Sequence, residues 1–178
     1  MELQVFCTSH HLLGICIKLD GQVLVGRGRA VAVALVLLLV IVAVTAALNP
    51  SREDFAWFLR LRRPVWLTFE ALIPVIWISI YACFYFSALL SWSASPSWAL
   101  MGGYLGLLLL VQSYTWVICR TRNLGNGTVI GFAGWVWGVA LTLLVAPVSH
   151  IAWLLLIPYL LWSPVGTYVT WQMQRLNR

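Results

Sequence analysis

The sequence predicts an all-α membrane protein, a bundle of five transmembrane helices. Only 9% of the 178 residues are charged, whereas a water-soluble domain averages about 25% because its surface must stay wet. The charges are also confined. No Asp, Glu, Lys or Arg occurs between Glu70 and Arg120, or between Arg122 and Arg175, gaps of 49 and 52 residues. A membrane span needs about 20 apolar residues, so each gap accommodates two spans and a turn. Residues 30–48, apolar except for Thr45, supply a fifth. Backbone amides in hydrocarbon need internal partners, which helices provide. The runs lack the polar–apolar alternation of barrel strands.

Taken in order, residues 1–29 read as a weakly ordered N-terminal extension with His10, His11, Lys18, Asp20 and Arg27. The segment lacks the compact charged start and short apolar core of a secretory signal. The five-helix domain occupies residues 30–178. Asn49-Pro50-Ser51 closes the first span, because the residue before proline avoids helical geometry. Residues 49–71 form the longest connection. Within it Phe55, Phe58, Leu59 and Arg62 are spaced for a short amphipathic turn along the membrane interface, ended by Pro64. The second span covers 72–92, with Pro74 in its first turn where a missing amide is tolerated. Residues 93–97 turn the chain into a third span at 98–119, and 120–126 form a polar loop. The fourth span covers 128–146 and the fifth 151–173. Pro158 and Pro164 interrupt the fifth, so a kink is expected whose freed carbonyls neighbours must satisfy.

The net charge of +6 does not signal nucleic acid, since the basic residues lie between spans and not on a soluble basic face. It sets topology instead. One side carries Arg52, Arg60, Arg62, Arg63, Arg120, Arg122, Arg175 and Arg178; the other carries Lys18, Arg27 and Arg29. By the positive-inside rule the first side is cytoplasmic, with the N-terminus outside.

Groups for catalysis are scarce. His10, His11 and His150 fall outside the spans with no carboxylate placed to orient them. Glu70, at the mouth of the second span, is expected to face Arg60, Arg62 or Arg63. Gln112 is polar at membrane depth and is expected to hydrogen-bond between helices. No buried ionisable group suggests a pump or proton relay. Cys7, Cys16, Cys83 and Cys119 form no C-x-x-C pair, so neither a metal site nor a redox motif is indicated.

Tryptophan occurs 11 times, as often as lysine and arginine together. Trp66, Trp92, Trp98, Trp116, Trp153 and Trp171 fall near span ends, where an amphipathic ring suits the interface. Trp77, Trp135, Trp137 and Trp162 fall deeper, where an indole N–H wants a partner and rings pack or line a pocket. Glycines at four-residue spacing, Gly102 with Gly106, Gly127 with Gly131 and Gly134 with Gly138, permit close helix approach within the bundle. The first pair also suits a homodimer face.

The segment from Trp57 to Trp66, W-F-L-R-L-R-R-P-V-W, resembles the first-loop motif of the TspO/MBR family, the tryptophan-rich sensory or translocator proteins. That motif reads W-Y-x-x-L-x-K-P-x-W. Trp77 and Tyr81 keep the spacing of the next family motif. Residues 155–162, L-L-I-P-Y-L-L-W, are similar to the family's last-span L-L-x-P-Y-L-x-W. Arg175-Leu176-Asn177 stands where the family has W-R-D-N. Departures mark a divergent member: Thr68-Phe69 replaces the family's P-P, Pro74 lies three residues before Trp77 where the family has two, and Val169-Thr170 replaces an L-N pair.

The resemblance implies a binding or sensory protein that takes a tetrapyrrole (haem or protoporphyrin) or a sterol beneath the first loop, requires no cofactor, and is often a homodimer. Its ligand-binding residues, carried over position by position, are Trp57, Trp66, Trp77, Tyr81, Trp162, Gly166 and Val169. A regulatory or transport-linked role follows. The alternatives are a membrane enzyme that degrades bound porphyrin and a small structural or assembly protein without a ligand.

Overall fold

The computed structural model describes residues 22–178, with side chains from residue 31. His10, His11, Cys7, Cys16 and most of the expected N-terminal extension lie outside the described residues. Among the described residues seven helices follow one another: α1 (Gln22–Ala47), α2 (Arg52–Leu59), α3 (Ile73–Ala94), α4 (Trp98–Thr121), α5 (Leu124–Val145), α6 (His150–Leu154) and α7 (Ile157–Leu176). A 3-10 turn, Glu70–Leu72, leads into α3. The described residues contain no strand.

These helices include four candidate crossings, and a fifth with the bent α1–α2 pair counted as one span, consistent with the expected five-helix bundle. Glu70–Ala94, Trp98–Thr121, Leu124–Val145 and His150–Leu176 are each long and apolar enough to span a bilayer. In the α1–α2 pair, the chain bends by 77° after Val31–Ala47 into α2. That bend lays α2 across the end of the bundle, as its amphipathic spacing suggests. Ser51 caps it, its Oγ accepting from the Asp54 amide at 3.2 Å. The helix ends at Leu59, before Pro64 is reached.

The fifth crossing differs from one kinked helix. It is divided into α6 and α7, with Pro158 in the first turn of α7. A proline there needs no helical donor. Pro164 stays inside α7, and its missing N–H frees the carbonyl four residues back, on Leu160. The Trp135 indole Nε1–H donates to that oxygen at 3.2 Å. The turn between α4 and α5 is also tighter than the expected polar loop. Arg122 closes α4 in the left-handed region (φ 48°), and Asn123 Oδ1 accepts from the Gly125 amide at 2.8 Å, so α5 starts at Leu124.

Helix α5 lies between α4 and α7, and its glycines allow this. A Cβ on Gly127 would collide with the Ile118 side chain, and one on Gly138 would lie 2.6 Å from the Tyr159 ring. Gly106 likewise lies under the Trp137 ring, whose Nε1–H donates to the Gly103 carbonyl at 3.0 Å. The space beside Gly102 is open. Gln112 forms the expected interhelical bond, Nε2–H to Thr45 Oγ1 at 2.7 Å.

Two apolar clusters result. The larger joins Ile80, Phe84, Leu107, Val111, Leu141 and Tyr159; the smaller, at the arginine-rich end, joins Ile118, Leu124 and Met173 beneath Trp57 and Phe58. Near the opposite end, the Tyr104 hydroxyl lies 2.6 Å from Ser87 Oγ and 3.0 Å from Ser91 Oγ, and Ser87 Oγ donates to the Ala152 carbonyl at 2.7 Å. This buried set ties α3, α4 and α6 with every member partnered, the condition for tolerating polar groups in hydrocarbon.

Candidate functional site

Between the two clusters, beneath the connection from α2 to α3, is a cavity of about 130 Å³. Phe58, Arg63 and Leu67 form its roof; Trp77, Val111 and Tyr114 wall it from α3 and α4; Gly131 and Gly134 come from α5; and Tyr159, Trp162, Gly166 and Val169 come from α7. Small residues on α5 and α7 border the space, and aromatic residues on four helices, α2, α3, α4 and α7, surround it.

Of the residues expected from the sequence, Trp77, Trp162, Gly166 and Val169 line this cavity. Trp57, Trp66 and Tyr81 do not reach its wall. Trp57 packs on the Ile118–Leu124–Met173 cluster, anchoring α2. Trp66 lies outside the roof, its ring 6.0 Å from Tyr168 and its Nε1–H donating to Gln172 Oε1 at 2.6 Å. Tyr81 stands one turn below Trp77, with 5.9 Å between ring centroids, and against Phe84. Tyr114, Ser163 and Thr167 are cavity residues outside the matched motifs, and Tyr159, the tyrosine of the last-span motif, lines the cavity as well although it is not among the expected site residues. The four-residue spacing of Tyr159, Ser163 and Thr167 places them on one helical face, but nothing in the sequence says which face turns inward.

The polar groups in and around the cavity are mostly paired. Tyr114 hydrogen-bonds with Thr170, and Thr167 Oγ1 donates to the Ser163 carbonyl at 2.8 Å. Among the described residues, the Trp162 indole Nε1–H is the single buried side-chain polar atom without a hydrogen-bond partner. A buried donor left unpaired costs about 1–3 kcal/mol. Such a donor in an aromatic cavity suits a ligand that presents an acceptor.

The roof is held from outside. Arg63 pairs with Glu70, one of the pairings expected for that carboxylate, and its guanidinium lies 5.6 Å from the Phe58 ring centroid. Burial lowers the Arg63 pKa from its ordinary value, yet an arginine stays protonated at neutral pH. Asn177, at the end of α7, clamps the loop. Its Oδ1 accepts from the Arg62 amide and its Nδ2–H donates to the Arg62 carbonyl, both at 2.9 Å, while a further 2.8 Å bond reaches the Met173 carbonyl. Phe69 edges onto Trp162 with 6.3 Å between centroids. Replacing Asn177 by alanine removes the clamp without touching the core. Amide hydrogen exchange over residues 60–66 is expected to accelerate about tenfold, as for the loss of about 1.4 kcal/mol of local protection. Hydrogen-exchange mass spectrometry reads this directly, and unchanged exchange there would show that Asn177 does not hold the loop.

A model of the TspO/MBR family matches residues 31–176 of the chain. A Bacillus subtilis (strain 168) protein described as the uncharacterized membrane protein YtaB is 24% identical over 127 residues, covering 70% of this chain and 82% of that protein.

Proposed function

Because the chain belongs to the TspO/MBR family, we propose that this membrane protein binds a flat hydrophobic ligand with an acceptor group, a tetrapyrrole such as protoporphyrin or haem, beneath its first loop. The observation that carries this reading is a buried, unpaired Nε1–H on Trp162, a residue that lines an aromatic cavity. Indole and phenol rings suit a macrocycle face, and the Arg63 guanidinium at the roof suits a propionate. A sterol, which also fits an apolar wall, offers only one hydroxyl.

The cavity volume sets a condition on binding. Sites for drug-sized ligands measure about 300–1,000 Å³, more than the 130 Å³ present. A whole macrocycle therefore enters only when the roof between α2 and α3 lifts, which couples binding to the Asn177 clamp and the Arg63–Glu70 pair. A segment that changes position with occupancy is suited to a regulatory or transport-linked role. The arginine excess on the loop side supports a cytoplasmic position for that side, with the N-terminus outside.

The test is a titration of the detergent-solubilised protein with protoporphyrin, followed by tryptophan fluorescence and by the porphyrin absorption band, with cholesterol in parallel. Saturable quenching with a shifted band supports the reading. Strictly linear quenching refutes it, and saturation by cholesterol alone would replace the tetrapyrrole with a sterol.

A further inference from the structure

A second recess lies outside the bundle, on the other side of the loop from the cavity. It is an open cleft of about 610 Å³ whose lining includes Arg62, Arg63, Trp66, Gln172 and Arg175. Among the described residues Arg63 alone of these arginines has a carboxylate partner, so Arg62 and Arg175 bring two uncompensated charges to the cleft. Arg175 is held in place, its guanidinium 4.5 Å from the Trp171 ring centroid. The rim is apolar and open: Val65 is 96% exposed.

Trp171 also borders a neighbouring groove of about 450 Å³ between α5 and α7, lined by Phe132, Trp135, Pro164 and Tyr168 and almost wholly apolar. Pro164, Tyr168, Trp171 and Arg175 follow one another at helical spacing along one face of α7. From Pro164 to Arg175 the helix rises about 16 Å at 1.5 Å per residue, close to the half-thickness, about 15 Å, of a bilayer's hydrocarbon core. Basic cleft and apolar groove thus form one continuous site, charged at the interface and greasy for the depth of one leaflet.

We propose that this site binds an anionic phospholipid from the leaflet on the arginine-rich side, its phosphate between Arg62 and Arg175 and an acyl chain along Tyr168 and Pro164. Guanidinium groups match phosphate oxygens in geometry and charge, and tryptophan rings suit headgroup depth. Basic pockets at the ends of transmembrane helices are a known place for such headgroups. A bare phosphate has no use for the groove, which is why the lipid and not the free anion is the occupant. The site is independent of the tetrapyrrole reading, since Arg62 and Arg175, the proposed phosphate contacts, do not line the cavity.

Native mass spectrometry of the full chain in detergent, with dioleoyl phosphatidylglycerol or dioleoyl phosphatidylcholine added in equal amounts, tests it. The glycerol lipid is expected to bind several-fold better, and Arg62→Gln and Arg175→Gln are each expected to lower that preference about fivefold. The Arg62 side chain takes no part in the Asn177 clamp, which uses the Arg62 backbone, so the loop stays in place. Arg52→Gln, on the same side but bordering a different recess, is expected to preserve the preference. Equal binding of the two lipids, or an equal loss in Arg52→Gln, would overturn the site. Displacement of the lipid by inorganic phosphate at the same concentration would also overturn it, in favour of a free anion.

Discussion

Replacing Trp162 by phenylalanine is expected to weaken protoporphyrin binding about tenfold while costing the bundle little stability. The indole Nε1–H has no protein partner, so removing it breaks no bond in the free protein. A hydrogen bond to a charged acceptor contributes about 1.5–3 kcal/mol, and tenfold in affinity corresponds to 1.4 kcal/mol. Trp135→Phe should show the reverse pattern. Its indole holds the carbonyl that Pro164 leaves free, and it does not line the cavity, so stability falls by about 1 kcal/mol and affinity is retained. Thermal denaturation in detergent, run beside the porphyrin titration on both variants, separates the two. Unchanged affinity in Trp162→Phe would remove the main support for the proposed binding mode.

The second large effect is on the fold. Gly138→Val is expected to destabilise the protein by about 1–3 kcal/mol, the usual cost of forcing carbon into a packed core. The Cβ position is 2.6 Å from Tyr159 Cε1, and that ring is 2% exposed and part of the larger cluster, so it has nowhere to go. Tyr159 also walls the cavity, and ligand affinity should fall with stability. Gly102→Ala is the contrast: nothing lies within 4 Å of its Cβ position. With no clash, the helix-favouring methyl should be neutral or worth up to about 1 kcal/mol. Equal melting temperatures for the two variants would mean that α5 is not packed against α7 in this way.

Only part of the candidate site was legible in the sequence, and the loop-motif positions that lie outside it have a physical cause. Trp77, Trp162, Gly166 and Val169 were found because motif positions at helical spacing keep their direction wherever the helix packs. Trp57 and Trp66 belong to one loop motif, and that motif alone points both of them to the cavity. Trp66 sits in a connection with no fixed period, so nothing local could say that it turns outward to Gln172, and nothing in the motif says how the short helix α2 is rotated to turn Trp57 onto the Ile118–Leu124–Met173 cluster. Asn177 and Arg62 are 115 residues apart, and their bond exists only because α7 ends beside the loop.

The sequence by itself determined the number of crossings, the side that gathers the arginines and the helical character of every span. Solvent decides these: a charge-free run has one stable place, and a backbone in hydrocarbon has one economical conformation. Tertiary structure alone decided which tryptophan N–H is satisfied. Trp135, Trp137 and Trp162 look alike in sequence, each an indole at membrane depth. The first meets a carbonyl freed by Pro164, the second meets the Gly103 carbonyl across a glycine gap, and the third, buried beside the cavity, meets no oxygen. That difference is set by the directions in which neighbouring helices present their oxygens, which hydropathy and spacing do not encode.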